Sequence, residues 1–576
     1  MRLIFALILG VFYSQAFAQT SAHSLHDLEN YELEAINEEL TRLGWEFHPS
    51  PEGNTIKDFA IKSLDVFEAR DPYPVSLNKV HIITQPWVIE REVLVTQGEK
   101  WDSEYAYETE RILRRWLPLA WVRVVPARIK SNNEVHVLII TQDLWSLRPE
   151  MDISFVGSRL EVFDFGLIES NLFGQAMQVG PTFHLDLGTI AFGGLFRNYR
   201  LGHTDYGLRS SAKAVLNRYS GVREGQFITA TFNRPLVRLD DKWGGDFTIT
   251  SNQDIYRAFS SGTLATVSIP ETSESPSLTY SRQVFELNAS VTRSYGRQWK
   301  SNWTGGYGYF YRNYPLIQTG LTQTTQDLFI SRYLPVSESA GYFYLKWEGY
   351  QASYQRRMNY DTYAITEDFR EGLSANVSLS GAARTLGGTS EYLLPSIGVG
   401  QNWFFGEAIL AASTQASFRY QPGVDSRTPF VNRNTSTAIK YFSPSFKHLR
   451  WVASGRVATH IFDRYRTQEF LGGDTTLRGF PSGWLRGSQV ITLSQELRTE
   501  PVKWLSTYFG AVVFQDWGDA FDHFGNMRLR PTAGAGIRFG FPQFQREVVR
   551  FDIGFPLHAL DADLGPTAVF QFNQAI

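Results

Sequence analysis

The sequence of 576 residues contains no cysteine. This absence excludes disulfides, thiolate nucleophiles, Cys-ligated zinc, iron–sulfur clusters and a lipid-modified N-terminal cysteine. Charged residues are also few, at 20% of the chain, and the formal net charge is only −3. A nucleic-acid-binding protein needs a basic face, so this charge balance argues against a nucleic-acid partner.

Long apolar runs are missing after the first residues of the chain. Met1 and Arg2 precede an apolar stretch from Leu3 to Phe12, and Ala16-Phe17-Ala18 matches a cleavage signal. This pattern is typical of a signal peptide over residues 1–18, and the run is too short for a membrane anchor. After this stretch, the sequence contains no run of about 18 apolar residues, which a membrane-spanning helix would need. We therefore expect an exported protein that is either soluble or a β-barrel.

Aromatic side chains are abundant, with 42 Phe, 27 Tyr and 15 Trp making up 15% of the chain. A membrane barrel uses aromatic girdles at both lipid–water interfaces, whereas a soluble core has no need of this excess. From residue 155 to 576, segments of about ten residues alternate apolar and polar side chains between turn-forming clusters. In Val548–Phe555, for example, Phe551 and Phe555 share one face and Asp552 lies on the other.

This alternation predicts strands with one polar and one apolar face, as in a barrel with a wet interior. A soluble antiparallel sheet also alternates, but the size of the region and its aromatic content favour a closed barrel, which has no edge strands. We count roughly 16 to 18 strands, within the range for such barrels. Five of them follow residue 487.

The N-terminal part differs from the barrel region in its pattern. Residues 19–74 form a polar, partly helical extension, and residues 75–148 form a compact α/β unit. The elements expected in that unit are a strand at 80–83, helices at 87–95 and 103–116, and strands at 121–129 and 135–141, the last two joined by a hairpin turn at 131–133.

One loop, at 461–487, has an unusual composition. It contains Gly472, Gly473, Asp474, Leu477, Arg478, Gly479 and Phe480. The alternation of the next two strands places Glu496 and Asp516 on their inward faces. Two acids that face a lumen need a cation, and a guanidinium can bridge two carboxylates. Arg478 is the candidate if its loop folds back into the barrel, and the glycines would permit the tight backbone required.

These residues resemble the motifs of a known family. Leu477-Arg478-Gly479-Phe480 is similar to the Val-Arg-Gly-Phe/Tyr motif in the inward-folded sixth extracellular loop of the BamA/TamA superfamily, also called the bacterial surface antigen family. Phe514, Asp516 and Gly518 match another signature of the family, and Asn171–Gly174 resembles its Asn-Leu-Phe-Gly turn. The β-α-α-β-β order of residues 75–148 resembles a POTRA domain.

The resemblance implies a mostly β protein, with a transmembrane antiparallel barrel of about 16 strands after a small periplasmic POTRA-like domain. It places the protein in the outer membrane of a Gram-negative bacterium. There it would insert or translocate client polypeptides without nucleotide, cofactor or metal. The implied partners are an unfolded outer-membrane or secreted polypeptide, outer-membrane lipid and periplasmic accessory proteins. Glu496 and Asp516 match the interior acids that hold the loop arginine in the family.

The sequence departs from the family in two places. Only one POTRA-like unit is evident, whereas assembly proteins of the BamA type usually carry several. The chain also runs on past Phe572 through residues 573–576, whereas the family usually ends in an aromatic residue at or near its last strand.

Two other functions are compatible with a barrel. A passive channel or structural barrel would transport no client and would need no plug. A barrel enzyme would need a catalytic motif, but none of the 11 histidines lies in a nucleophile elbow or an H-E-x-x-H motif. For the Arg478 ion pairs, a static role that only stabilises the barrel is favoured over a dynamic one, since buried pairs are often structural.

Overall fold

The computed structural model describes residues 30–69, 71–129, 134–156, 159–260, 263–424, 428–473, 476–557 and 564–576. The expected signal peptide and the hairpin turn at 131–133 lie outside these ranges. No helix within them is both long and apolar enough to cross a membrane. The chain divides into two compact units. The first comprises Met1–Lys62, Glu92–Arg111 and Val122–Thr141, and the second comprises Ser63–Arg91, Ile112–Trp121 and Gln142–Ile576.

The first unit is built on a four-stranded sheet. The strands are β1 (Glu46–Phe47), β2 (Ile56–Leu64), β3 (Leu119–Arg128) and β4 (Val135–Asp143), in the order β1-β3-β4-β2. Every residue of β4 is buried, as expected for a strand inside a sheet. Helix α1 (Asn30–Leu43) buries Ile36 and Leu40, which lie four residues apart on one face.

The first element predicted in residues 75–148 is wrong. The strand expected at 80–83 is absent, and Val75–Val80 is a 3₁₀ helix. Its Asn78 side chain donates to the Phe67 carbonyl and accepts from the Phe67 amide, so a side chain replaces a strand ladder here. Helix α2 is shorter than predicted, at Pro86–Glu90, whereas α3 has the predicted bounds, Ser103–Trp116. The structure does not show a clear POTRA domain.

A closed antiparallel barrel accounts for most of the second unit. It has 20 strands rather than about 16. Two strands are interrupted and therefore appear as pairs of segments, β16 with β17 and β25 with β26. The segments are β5 (Leu147–Val156), β6 (Arg159–Leu172), β7 (Met177–Leu185), β8 (Thr189–Asn198), β9 (Gly207–Asn217), β10 (Arg223–Arg234), β11 (Trp243–Arg257), β14 (Thr279–Tyr295), β15 (Trp299–Asn313), β16 (Glu338–Gln351), β17 (Ser353–Met358), β18 (Thr366–Ala382), β19 (Tyr392–Phe405), β20 (Ala408–Tyr420), β21 (Phe430–Phe442), β22 (Leu449–Ile461), β25 (Gln489–Thr499), β26 (Val502–Trp504), β27 (Thr507–Phe521), β28 (Arg530–Gly540), β29 (Val549–Pro556) and β30 (Thr567–Phe572).

The remaining elements lie in loops. β12 (Phe259–Ser260) pairs with β13 (Thr263–Leu264), and β23 (Glu469–Leu471) pairs with β24 (Leu485–Gly487). Helix α4 (Gln323–Tyr333) begins after Thr322, whose side chain accepts from the Thr325 amide as an N-cap. Its Phe329 is fully buried in an apolar cluster with Ala265 and Ile269 from the loop that carries β12 and β13.

The strand count was too low before residue 448, and the barrel begins at Leu147 rather than at 155. Each strand of a barrel gives only a weak sequence signal, and glycines within strands resemble turns. Gly193 and Gly194 in β8, for example, lie mid-strand. The five strands predicted after the loop are confirmed.

The two faces of the wall follow the alternation of side chains, which register shifts interrupt in four pairs of the described strands. In β29, Phe551, Ile553 and Phe555 are 36–48% exposed and face outward, as predicted, while Arg550 and Asp552 are buried on the inner face. Inward residues pair with inward residues from β29 through β30 to β5, and the pairing of β30 with β5, the last and first strands, closes the barrel.

Candidate functional site

The loop between β22 and β25 lies inside the barrel. We call residues 462–487 the plug loop. Its Leu471, Leu477 and Phe480 are at most 2% exposed. They form an apolar cluster with side chains that project inward from three strands of the wall: Ala458, Val490 and Ala520. Burial of this apolar surface holds the plug loop against the inner wall.

Arg478 lies at the tip of the plug loop and contacts three acids of the wall. Its Nε and Nη2 donate to the two carboxylate oxygens of Asp516, each at 2.9 Å, and its backbone amide donates to the same group at 3.1 Å. Nη1 donates to Glu496 and, at 3.2 Å, to Asp552. The guanidinium also lies 3.6 Å from the ring centroid of Phe514. The structure thus brings together the three predicted charged residues, Arg478, Glu496 and Asp516.

The remainder of this charged network was not predicted from the sequence. Asp552 also accepts from Arg538 Nη1 at 2.5 Å and from Arg550 Nη1 at 2.9 Å, and Arg498 Nε donates to Glu496 at 2.7 Å. The alternation predicted that Asp552 lies on the polar face of its strand, and Arg550 shares that face at a spacing of two residues, which was the available signal. We call Arg478, Arg498, Arg538, Arg550, Glu496, Asp516 and Asp552 the lumen network.

Gly479 and Gly472 allow the plug loop to approach other backbone closely. Gly479 has φ +113°, and a Cβ there would lie 2.9 Å from backbone atoms of Phe555 on β29. Gly472 has φ +120°, and its Cβ would lie 1.9 Å from the Pro481 carbonyl oxygen. Both the backbone conformation and the space therefore require glycine.

The other predicted loop residues have structural contacts. The Gly473 amide donates to the Phe480 carbonyl at 2.7 Å, which closes the tip of the loop. Leu477 adopts a positive φ of 65°, which is unusual for a residue with a branched side chain. Asp474 lies outside the described residues.

A second anchor, which was not predicted from the sequence, holds the start of the plug loop. Glu338 on β16 forms a bidentate pair with Arg419 on β20, at 2.6 and 3.0 Å, and both side chains are buried. Tyr465 of the plug loop donates to Glu338 and accepts from Arg419 at 2.8 Å. These partners are 46 to 127 residues apart in the sequence, so no local pattern could reveal them.

Glu469, at the base of the plug loop, links it to β22. His460 donates to Glu469 at 3.0 Å, and Arg456 forms a bidentate pair with the same carboxylate. The hydrogen bond from His460 and the bonds and charge of Arg456 lower the pKa of Glu469 to about 2. Its carboxylate is therefore ionised throughout the physiological range.

The Asn171–Gly174 turn anchors the segment before α2. Asn171 Nδ2 donates to the Ile82 carbonyl at 3.0 Å and to Asp143 at 3.2 Å. His81 Nε2 also contacts Asp143, and its Nδ1 lies 3.4 Å from Ser146. This cluster superficially resembles a catalytic triad, but it is buried and the Ser146 hydroxyl donates to Glu169 instead. In the described part of the chain, no three His, Asp or Glu side chains form a group that could hold a metal ion.

Several solved structures are similar to this chain. The chain is similar to BamA from Haemophilus ducreyi lacking POTRA domains 1–3, with 12% identity, TM-score 0.34, and coverage of 95% of this chain and 93% of that one. It is also similar to CdiB from Acinetobacter baumannii (14%, TM-score 0.42, 94% and 80%) and CdiB from Escherichia coli (11%, TM-score 0.44, 98% and 93%). No protein-family model and no curated protein matches the chain.

Proposed function

We propose that this protein is an outer-membrane barrel of the BamA/TamA-like kind that inserts client polypeptides into the membrane or passes them across it. The seam between the first and last strands is the observation that carries this proposal. β30 has only six residues, and five of them pair with β5. A membrane-spanning strand needs about 9–11 residues, so the wall is shortest where it closes.

A short seam is the part of the barrel that costs least to open. Opening it exposes the backbone donors and acceptors of β5 and β30, which are expensive to leave unpaired in lipid. An extended polypeptide satisfies these groups by adding as a strand, and every second side chain of that strand then faces the lipid. By contrast, β11 and β14 pair through fifteen residues and form a permanent part of the wall.

The plug loop favours this function over a passive channel. It lies within the lumen and is held at its start by Glu338 and at its tip by the lumen network. A solute channel needs an open, polar constriction, whereas a protein that moves polypeptides must stay sealed between clients. We assign Arg478, Glu496 and Asp516 the role of fixing this plug, together with Gly472, Gly473, Leu477, Gly479 and Phe480.

The N-terminal part would receive the client. We place residues 19–148 in the periplasm, with residues 75–148 retaining the role of a POTRA-like unit and residues 1–18 acting as the signal peptide. β2 lies at one edge of the four-stranded sheet. The backbone of Ile56 and Lys57 is bonded to residues 97–99, so residues 58–64 remain for strand addition by an unfolded chain. Lipid and periplasmic accessory proteins are further proposed partners, and we propose no enzymatic activity.

A disulfide across the seam tests this mechanism, because the native chain has no cysteine to interfere. Phe155 of β5 and Ala568 of β30 are register partners, and Ala568 also pairs with Ile553 of β29. Cells whose only copy carries Phe155→Cys and Ala568→Cys should lose client delivery under oxidising conditions and regain it on reduction. The matched pair Ile553→Cys and Ala568→Cys should deliver clients normally.

The readout is quantitative proteomics of the outer membrane and of the medium. Loss of many barrel proteins indicates general assembly, and loss of one secreted protein indicates dedicated secretion. Unchanged proteomes in the oxidised seam variant, with the disulfide verified, contradict the proposal.

A further inference from the structure

Residues 573–576, which follow β30, run into the lumen rather than along the wall. We call this segment the tail. Asn573 Oδ1 accepts from Arg550 Nε at 3.1 Å, and Gln574 Oε1 accepts from Arg538 Nε at 3.0 Å. The Ile576 carbonyl oxygen accepts from Arg498 Nη2 at 2.5 Å. Three arginines of the lumen network thus each direct an N–H group to an oxygen of the tail.

These arginines form a buried binding site, since each is at most 5% exposed. Each also binds an acid of the lumen network, Arg498 to Glu496 and the other two to Asp552. The acids orient the guanidinium planes, so the remaining N–H groups have fixed directions. A donor that is buried and fixed in this way binds an oxygen acceptor strongly, because leaving it unpaired is costly.

The tail also fills an apolar site next to these arginines on the inner wall, where Val452 of the site pairs with Glu496 of the lumen network. Ile576 packs against a cluster of inward-facing side chains from the turn between β17 and β18 and from the wall: Tyr360, Phe369, Phe404, Ile409, Phe442 and Val452. The Arg498 side chain links the two parts of the site, because its Nη1 donates to the Tyr360 carbonyl at 3.0 Å.

We infer that Arg498, Arg538, Arg550 and this apolar cluster form a peptide-binding site in the lumen, which the tail occupies in this structure. Its ligand is an extended polypeptide segment with amide-bearing side chains followed, two residues later, by an aliphatic residue. The tail is then an internal competitor, and a polypeptide in the lumen binds only when the tail leaves. The proposed transport function does not require such a site, and peptide binding does not require transport.

A labelled peptide tests the site directly. The probe is the hexapeptide Gln-Phe-Asn-Gln-Ala-Ile, which copies residues 571–576, and its binding to the purified full-length barrel is measured by fluorescence anisotropy. A chain shortened after Phe572 should bind the probe roughly tenfold more tightly than the full chain, because the competitor is gone. A probe with Asp in place of its last residue should bind at least about tenfold more weakly, because a charge would enter the apolar cluster.

Two arginines on the same strand provide the matched comparison. In the shortened chain, Arg538→Gln should weaken probe binding roughly tenfold or more, because it removes a charged donor. Arg530→Gln should have no effect, because Arg530 also faces the lumen from β28 but binds Asp519. Equal binding by these two variants, or equal binding by the shortened and full chains, overturns the inference.

A second route covers a shortened chain that fails to fold, as judged by its heat-modifiable migration in gels. The full chain with Ile576→Asp keeps its length and every strand but loses the apolar contact of the tail. It should bind the probe several-fold more tightly than the native chain, and unchanged binding overturns the inference. A barrel that binds the probe but delivers no client refutes the proposed function alone.

Discussion

At the scale of single residues, Arg478 is the point at which the plug loop and the wall are joined by charge. It is buried with three carboxylates. Glu496 and Asp552 also bind other arginines of the lumen network, so removing the cation leaves Asp516 in particular without a guanidinium partner in the buried interior. Breaking a buried ion pair on one side costs about 3–5 kcal/mol, far more than the net value of the pair.

Arg478→Ala should therefore release the tip of the plug loop and destabilise the barrel by about 3–5 kcal/mol. Arg478→Lys should fall between the native and alanine proteins, since an ammonium keeps the charge but cannot form the bidentate bond to Asp516. Limited proteolysis of the plug loop and urea unfolding in detergent are the measurements. Arg466→Ala, in the same loop but exposed, is the control, and equal behaviour of the two alanine variants contradicts the role.

Gly479 tests the close approach of the plug loop to β29. Gly479→Ala should unseat the tip, since its Cβ would lie 2.9 Å from the Phe555 backbone. Gly483→Ala is the matched control: it also has a positive φ, but its nearest neighbour is 3.7 Å away. Proteolysis should therefore rise much more for the first variant. A similar rise in both would mean that backbone conformation, and not the close contact, selects glycine.

The alternation of side chains made part of this site predictable. It placed Glu496 and Asp516 on the inner wall, and the composition of the loop singled out Arg478. The arginines from β25, β28 and β29 could not be assigned, because their contacts depend on register across strands. The Glu338 anchor depends on the path of the plug loop through the lumen, which no alternation describes.

At the scale of elements, charged contacts hold the plug loop at its start and at its tip. Glu338→Gln should release its start, because buried Arg419 would lose its carboxylate, at a cost of about 3–5 kcal/mol. Glu348→Gln lies further along β16 and breaks a solvent-exposed pair with Lys346, which is worth about 1 kcal/mol or less. Urea unfolding should separate the two variants, and equal midpoints would mean that the anchor contributes nothing.

The errors in the predicted elements have identifiable causes. Residues 80–83 have the β-branched and apolar character of a strand, but side chains bind this segment instead: Asp143 contacts His81, and Asn171 donates to the Ile82 carbonyl. Tertiary contacts therefore override local propensity there. In the wall, the strands β14 and β18 are 17 residues long. The assumption of segments of about ten residues therefore places strand boundaries wrongly.

At the scale of the whole molecule, we expect the plug loop to determine whether the barrel conducts. Replacing residues 472–484 by a short Gly-Ser linker keeps β23 and β24 and removes the tip from the lumen. Conductance in planar bilayers should rise several-fold above that of the native barrel. Replacing residues 522–529, which connect β27 to β28, should leave the conductance unchanged. If both replacements conduct like the native barrel, the plug loop does not seal the lumen.

The two anchors of the plug loop lie on distant parts of the wall, with six strands of the closed barrel between β16 and β27. A chain fixed at both places acts as an internal brace that limits how far the circumference can flatten. Releasing either end removes this restraint from the entire ring, including the short strands at its closure. The lumen contacts therefore bear on the shape of the barrel as well as on its permeability.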